Sequence, residues 1–423
     1  MNSTTLNKTT SEPSPMYRWV VLFFISMAMF GNYYIYDSIS PLADVLKKQL
    51  EFTDSNLGLL NALYSFPNII MVLIGGIVID RIGTRKASFI FSFLCMTGAS
   101  ITAMQGSLIT MAAGRLIFGL GAESLIVAIT TVIAKWFKGK ELSFAFGLNL
   151  TIARLGSFAA LNSPTLAKSL YSNPDHPLLP LLVAVGAGVI SMLSVIIYFS
   201  LETNAEKKYN LSSSEEVDKI NIKEIFVMSP SFWYITLLCV TFYSAIFPFQ
   251  TFAVKFFIEH HGLTREMAGF TSSLITLAAM IGTPLFGLLI DLIGKRASLM
   301  MLGSVLLIPV YLLLMYTPLH PIVPMVFMGI AFSLIPAAMW PSVALIVDEK
   351  QLGTAYGLMT MIQNIGLFGF NLLIGFANDN TGGYQTGMWL FSTLGFAGMF
   401  FAYMLKKADR LSGGGHLEKS KIL

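Results

Sequence analysis

Three charged side chains stand inside long apolar runs of this 423-residue chain: Glu123 in "GLGAESLIVAI", Arg154 in "GLNLTIARLGS" and Lys255 in "FPFQTFAVKFF". In hydrocarbon each would cost about 2.5–3.5 kcal/mol on insertion scales, so each must face a partner or a watery cavity. A carboxylate can take an ammonium. A guanidinium can grip a carboxylate through two parallel hydrogen bonds, which a lysine cannot do. If Glu123 and Arg154 lie at one depth, they can clamp the two ends of a zwitterion or neutralise each other as a structural ion pair. A buried ion pair is seldom better for stability than apolar packing, which favours the clamp. Lys255 also has two readings. Its stem can carry the charge out to the membrane surface, or Pro248 breaks the helix and turns the lysine into a central cavity.

The elements that must hold these charges follow from composition. Only 12% of residues are charged, 55% are hydrophobic and mean hydropathy is +0.69, which excludes a water-soluble chain of this length. Apolar runs long enough to cross a bilayer recur near 17–37, 57–80, 87–105, 108–137, 141–168, 178–201, 231–256, 267–292, 297–316, 322–347, 352–377 and 386–405. The first follows a polar tail and lacks a small-residue cleavage site, so it is a span and not a signal peptide. Expected, therefore, is an all-α membrane protein of twelve transmembrane helices with both termini in the cytosol. Of the 27 basic residues, that orientation puts 20 inside and four outside (Lys47, Lys48, Lys168 and Arg265), as the positive-inside rule demands. The net charge of +4 is thereby explained without nucleic acid. The triplets at Asn2, Asn7 and Asn210 fall inside and that at Asn149 within a span, which predicts an unglycosylated chain. Cys95 and Cys239 read as apolar filler. Glu123 lies 15 residues before Lys138 and Arg154 lies 13 after Glu141. Both thus sit about 20 Å from the inner edge, near the midplane.

The chain also repeats itself. "GIVIDRIGTRKAS" from Gly76 matches "GLLIDLIGKRASL" from Gly287, so that Asp80 and Arg85 fall on Asp291 and Arg296. "LSFAFGLNLTIARLG" from Leu142 echoes "LGTAYGLMTMIQNIG" from Leu352, which sets Asn364 opposite Arg154. Expected units are a tail at 1–16, a six-helix half at 17–201, a cytosolic linker at 202–230, a second half at 231–405 and a tail at 406–423. A capping box at Ser212 and Glu215 predicts a short helix in the linker. The loop carrying Asp80, Arg81 and Arg85 resembles the signature of the major facilitator superfamily, whose plan is two pseudo-symmetric halves. "GRLIFGLG", with Arg115, resembles that superfamily's fourth-span pattern. Gly75, Gly76 and Gly83 are expected to let helices approach closely. Asp80, Arg81, Arg85, Arg115, Asp291 and Arg296 are the candidate gating residues, with Asp80 and Asp291 latching the inner seam.

A narrower likeness rests on "YSFPN", "GRLIFGLGAESLIVA", "WFKGKELSFAFGLNLTIARLGS" and "FPFQTFAVKFF". These blocks resemble the lysosomal dipeptide transporter family. The resemblance implies alternating-access, uniporter-like transport of dipeptides, with Glu123, Arg154 and Lys255 binding the peptide's ends. Tyr64 of the first block and Asn364 complete the expected substrate set. The lysosomal members work with an accessory membrane subunit; this sequence gives no sign of one, and function as a monomer is expected. Expected partners are the dipeptide and the lipid bilayer. The compartment is a bacterial cell (inner) membrane or, alternatively, a lysosomal membrane; the nearest thing to an acidic dileucine sorting signal is the C-terminal "EKSKIL". No cofactor, metal cluster or nucleophile–base set is visible, which argues against an enzyme. The competing functional class is a proton-coupled carrier of a small organic anion or sugar phosphate, and a non-transporting receptor is a third.

Overall fold

A computed structural model describes residues 14–137, 141–171, 173, 176–209, 228–348, 351–411, 415 and 417–419. The first half comprises α1 (Pro15–Asp37), α2 (Ala43–Leu50), α3 (Asp54–Met104), α4 (Leu108–Phe137), α5 (Leu142–Leu161), the short α6 (Ser163–Leu166) and α7 (Lys168–Tyr171), and α8 (Leu179–Tyr209). The second comprises α9 (Pro230–His261), α10 (Arg265–Ile293), α11 (Arg296–Tyr316), α12 (Ile322–Ile346), α13 (Leu352–Thr381) and α14 (Gln385–Leu411). Among the described residues, 11 helices are long and apolar enough to cross a membrane. The 51-residue α3 counts twice, because its backbone breaks at Gly83 with φ +80°. That gives twelve spans in two six-helix halves.

The repeat is visible in the backbone. Gly294, at the place equivalent to Gly83, also has positive φ, +66°, where a side chain would be strained. Each half opens on the same start signal. Ser14 before Pro15 and Ser229 before Pro230 each cap their helix, the serine oxygen accepting from the third backbone N–H onward at 3.3 Å.

Gly83 therefore serves backbone conformation and not the close approach expected of it; neither it nor Gly76 has a neighbour where a Cβ would stand. Close approach is the work of Gly75, which faces Ser124, and of the fourth-span glycines. A Cβ on Gly121 would lie 2.5 Å from the Phe91 carbonyl oxygen, so α4 packs on α3 through bare backbone. In lipid such van der Waals contact, and not the hydrophobic effect, holds helices together.

Several helices differ from expectation; α5, for one, ends at Leu161 and not at 168, and α9 and α13 run on to His261 and Thr381. Helix α8 runs on to Tyr209 because Glu202 and Glu206, one turn apart, meet the basic inner ends of neighbouring helices. Buried Glu202 pairs with Lys135 and accepts from Trp136 Nε1 at 2.6 Å, while Glu206 pairs with Arg85 at 2.7 Å. Helix α14 likewise continues to Leu411, and Glu418 beyond it accepts from the backbone N–H of Ser298 at 2.9 Å. The predicted linker helix at Ser212 and Glu215 lies outside the described residues. Nor does Pro248 break α9. The Tyr311 hydroxyl donates to the Ala245 carbonyl at 2.8 Å, the kind of neighbouring donor that lets a membrane helix tolerate proline.

Candidate functional site

A cavity of about 260 Å³ lies between the halves. The first half contributes Asn32, Tyr33 and Tyr36 from α1, Tyr64 from α3, Glu123 and Ile126 from α4, and Arg154 from α5. The second contributes Tyr243 and Phe247 from α9, Trp340 from α12, and Thr360, Gln363 and Leu367 from α13. Both formal charges of the lining come from one half. The other wall is neutral and largely aromatic.

Glu123 and Arg154 thus meet in one cavity, but they form no ion pair with each other. The expected mutual neutralisation is corrected by what each side chain does touch. Glu123 accepts a hydrogen bond from the Tyr64 hydroxyl at 3.2 Å, and the Tyr64 ring is held against Phe118 and Tyr36 at centroid distances of 5.3 and 4.7 Å. The Arg154 guanidinium lies between the rings of Tyr33 and Phe332, 5.3 Å from each centroid. Cation–π contact holds the arginine in place without consuming its fork of N–H donors.

Three other candidates stand elsewhere. Arg115 is buried and donates to Asn61 Oδ1 at 2.7 Å and to the Ile35 and Tyr36 carbonyls at 3.3 Å, tying α1, α3 and α4 together behind the cavity. Asn364 does not line the cavity: it is 2% exposed and donates back to the Thr360 carbonyl at 3.0 Å. The cavity-facing polar group is its neighbour Gln363, one helical step around α13, which the offset of the sequence repeat misplaced. Lys255 neither enters the cavity nor reaches the surface. It is 0% exposed and pairs with Asp54 at the start of α3, with Glu259 at 3.8 Å and the Tyr384 ring at 5.3 Å nearby. Because α9 stays helical through Pro248, the lysine points into the seam between the halves.

Among the described residues, ion pairs cross that seam on one face only. On the face opposite the chain termini, the ion pairs Lys255–Asp54, Arg265–Asp44, Lys47–Glu259 and Lys168–Glu266 all join one half to the other. Asn378 donates to Asp54 Oδ2 at 3.0 Å, and Asp379 accepts from the backbone N–H groups of Asp54 and Ser55 at 2.8 and 2.7 Å. The apolar core agrees: the cluster of the second half takes in Ile39, Leu42, Leu46, Leu57 and Leu60, whereas the remaining first-half cluster stays within that half. On the face carrying the termini, the ion pairs among the described residues stay within a half. They include Arg85–Glu206 and Arg18–Glu141 in the first, and Arg296–Asp291 and Lys406–Glu418 in the second. Asp80 and Arg81 are exposed. The expected latch through Asp80 and Asp291 is not made in this conformation, whose inter-half ion pairs among the described residues all lie on the opposite face.

Twelve spans in two repeated halves around a central cavity define a membrane transporter. The sequence matches the Major Facilitator Superfamily over residues 22–264 and 249–421, and the chain belongs to that family. It is 34% identical over 386 residues to the lysosomal dipeptide transporter MFSD1 of Bos taurus, covering 88% of this chain and 82% of that protein. The human protein of the same name is 33% identical with the same coverage. A probable sulfoacetate transporter, SauU of Cupriavidus necator, is 22% identical over 87% of this chain and 89% of its own. Among solved structures, a mutant of the peptide transporter POT in complex with sulfate superposes with a TM-score of 0.73 at 14% identity. It covers 94% of this chain and 96% of that one, a likeness of fold alone.

Proposed function

We propose that this protein carries dipeptides across its membrane by alternating access, uniporter-like, binding the zwitterionic backbone ends in the central cavity. One observation carries the reading: Glu123 and Arg154 share a cavity while leaving their charges unspent on each other. Glu123 takes the peptide's ammonium, steadied by Tyr64, and Arg154 takes its carboxylate. The MFSD1 relatives, named as dipeptide transporters, support the substrate class. With the termini in the cytosol, as the distribution of Lys and Arg favours, the conformation described is inward-facing. The membrane is that of a lysosome-like compartment or of a bacterial cell. The protein works as a monomer.

The test is uptake of dialanine into proteoliposomes by wild type, Glu123→Gln, Arg154→Gln and the double variant. A substrate clamp predicts well-folded single variants that have lost flux, no recovery in the double variant, and poor transport of N-acetylated dipeptides. Substantial dialanine flux in the double variant sinks the clamp, because only a structural role is restored by removing both charges. The rival reading, a proton-coupled anion carrier, has a distant relative in its favour. An anion without an ammonium would face the Glu123 carboxylate and needs it protonated. Proton uptake accompanying anion flux, with no competition by dipeptides, is the result that would establish it.

A further inference from the structure

The clamp explains how two charged ends are held, but not how the cavity would tell a dipeptide from any other molecule with an ammonium and a carboxylate at that spacing. The distinguishing feature is the peptide group between the ends, which has one donor and one acceptor and no charge. Burying it without a partner is costly. The half that supplies Glu123 and Arg154 lines the cavity with the Tyr33 and Tyr36 hydroxyls but brings no free amide to it. Asn32, the polar amide on that wall, is already engaged, donating to the Ala122 carbonyl at 3.3 Å and accepting from Cys95 at 3.7 Å.

The uncharged wall has such a group. Gln363 lines the cavity, and among the described residues its side chain makes one hydrogen bond, a weak one from the Cys239 thiol to its carbonyl oxygen at 3.6 Å. Among the described residues nothing pairs with its amide nitrogen. Its neighbours are less free. Thr360 donates to the Tyr356 carbonyl at 2.9 Å, and Tyr243 accepts from Trp340 Nε1 at 3.0 Å. A carboxamide is chemically a peptide group on a short stem, so it can donate to a carbonyl or accept from an N–H. The N–H and C=O of a trans peptide point in opposite directions, and Gln363 therefore meets one of them.

Resting on the dipeptide reading above, we propose that Gln363 is the specificity-determining residue that hydrogen-bonds the substrate's peptide group, making the cavity selective for a peptide over a plain amino acid of equal span. It touches the substrate from the half opposite the two charges.

The probe is a pair of ligands, glycylglycine and 5-aminopentanoate. Both have the same number of atoms between ammonium and carboxylate, but only the first has a peptide group. Each is set to compete with labelled dialanine for binding to the purified protein. Wild type is expected to prefer glycylglycine by about tenfold, the worth of one net hydrogen bond. In Gln363→Leu the preference collapses to near unity because glycylglycine weakens while 5-aminopentanoate is unchanged. Equal competition by the two ligands in wild type overturns the proposal without recourse to any variant, and leaves the clamp standing. A preference that survives in Gln363→Leu overturns it as well. Failure of dialanine and both competitors to bind overturns the dipeptide reading and this one with it.

Discussion

At the scale of single residues, the cavity depends on which atoms are left unsatisfied. Tyr64 donates to Glu123, so Tyr64→Phe removes a hydrogen bond to a charged group, worth about 1.5–3 kcal/mol. The expected outcome is a loss of dipeptide affinity of roughly tenfold or more, at unchanged expression, measured by equilibrium binding. The charges themselves were legible in the sequence, because an ionisable residue in an apolar run has few reasons to be there. Their partners were not. Matched depth on adjacent helices suggested that Glu123 and Arg154 would meet. Depth says nothing of azimuth, however, and Tyr33 and Phe332 hold the guanidinium instead. Asn364 failed for a related reason. One residue turns a helix by about 100°, and Gln363 takes the cavity-facing direction that the aligned repeat assigned to its neighbour.

At the scale of elements, span number, span limits and the doubled motif were readable because a bilayer dictates helix length and backbone satisfaction. The rotational setting of each helix was not. A soluble helix marks its buried face with an apolar stripe, whereas α12 is apolar all round and α4, apart from Arg115, Glu123 and Lys135, is nearly so; neither carries such a mark. The consequence is clearest in α9, where unbroken helix through Pro248 delivers Lys255 to Asp54. Removing one member of so buried a pair strands the other, an effect of about 3–5 kcal/mol. Asp54→Asn is therefore expected to release the opposite face, moving the population toward the state open on that side. Labelling an introduced cysteine, Thr251→Cys, with an impermeant thiol reagent from the opposite face reads this out, since Thr251 is buried in the closed seam and the native Cys95 and Cys239 are buried too. Labelling should rise in Asp54→Asn and fall back when Lys255→Gln is added. No rise would mean that the pair does not hold the face shut.

For the whole molecule, the two faces carry different kinds of electrostatics. Four ion pairs cross between the halves on one face, and on the other the described pairs stay within a half. Asp80, exposed here, is proposed to act only when the terminal face closes. Asp80→Asn should leave dipeptide affinity measured from the terminal side within about twofold, as for an exposed substitution. It should slow exchange of substrate across the membrane several-fold. A matching loss of affinity at normal expression would place Asp80 in binding and not in closure.

Glu123 and Arg154 both belong to the first half, so on the dipeptide reading proposed above a bound zwitterion would be a passenger of that half. As the halves rock, the substrate would keep its bearings relative to α1, α4 and α5, and the uncharged wall of α9, α12 and α13 would sweep past it. Transport then amounts to a change of scenery around a stationary rider. On that reading, substitutions in the first half's share of the cavity wall should register mainly as differences in how tightly the cargo is held, and substitutions in the second half's share as differences in which cargo survives the passage.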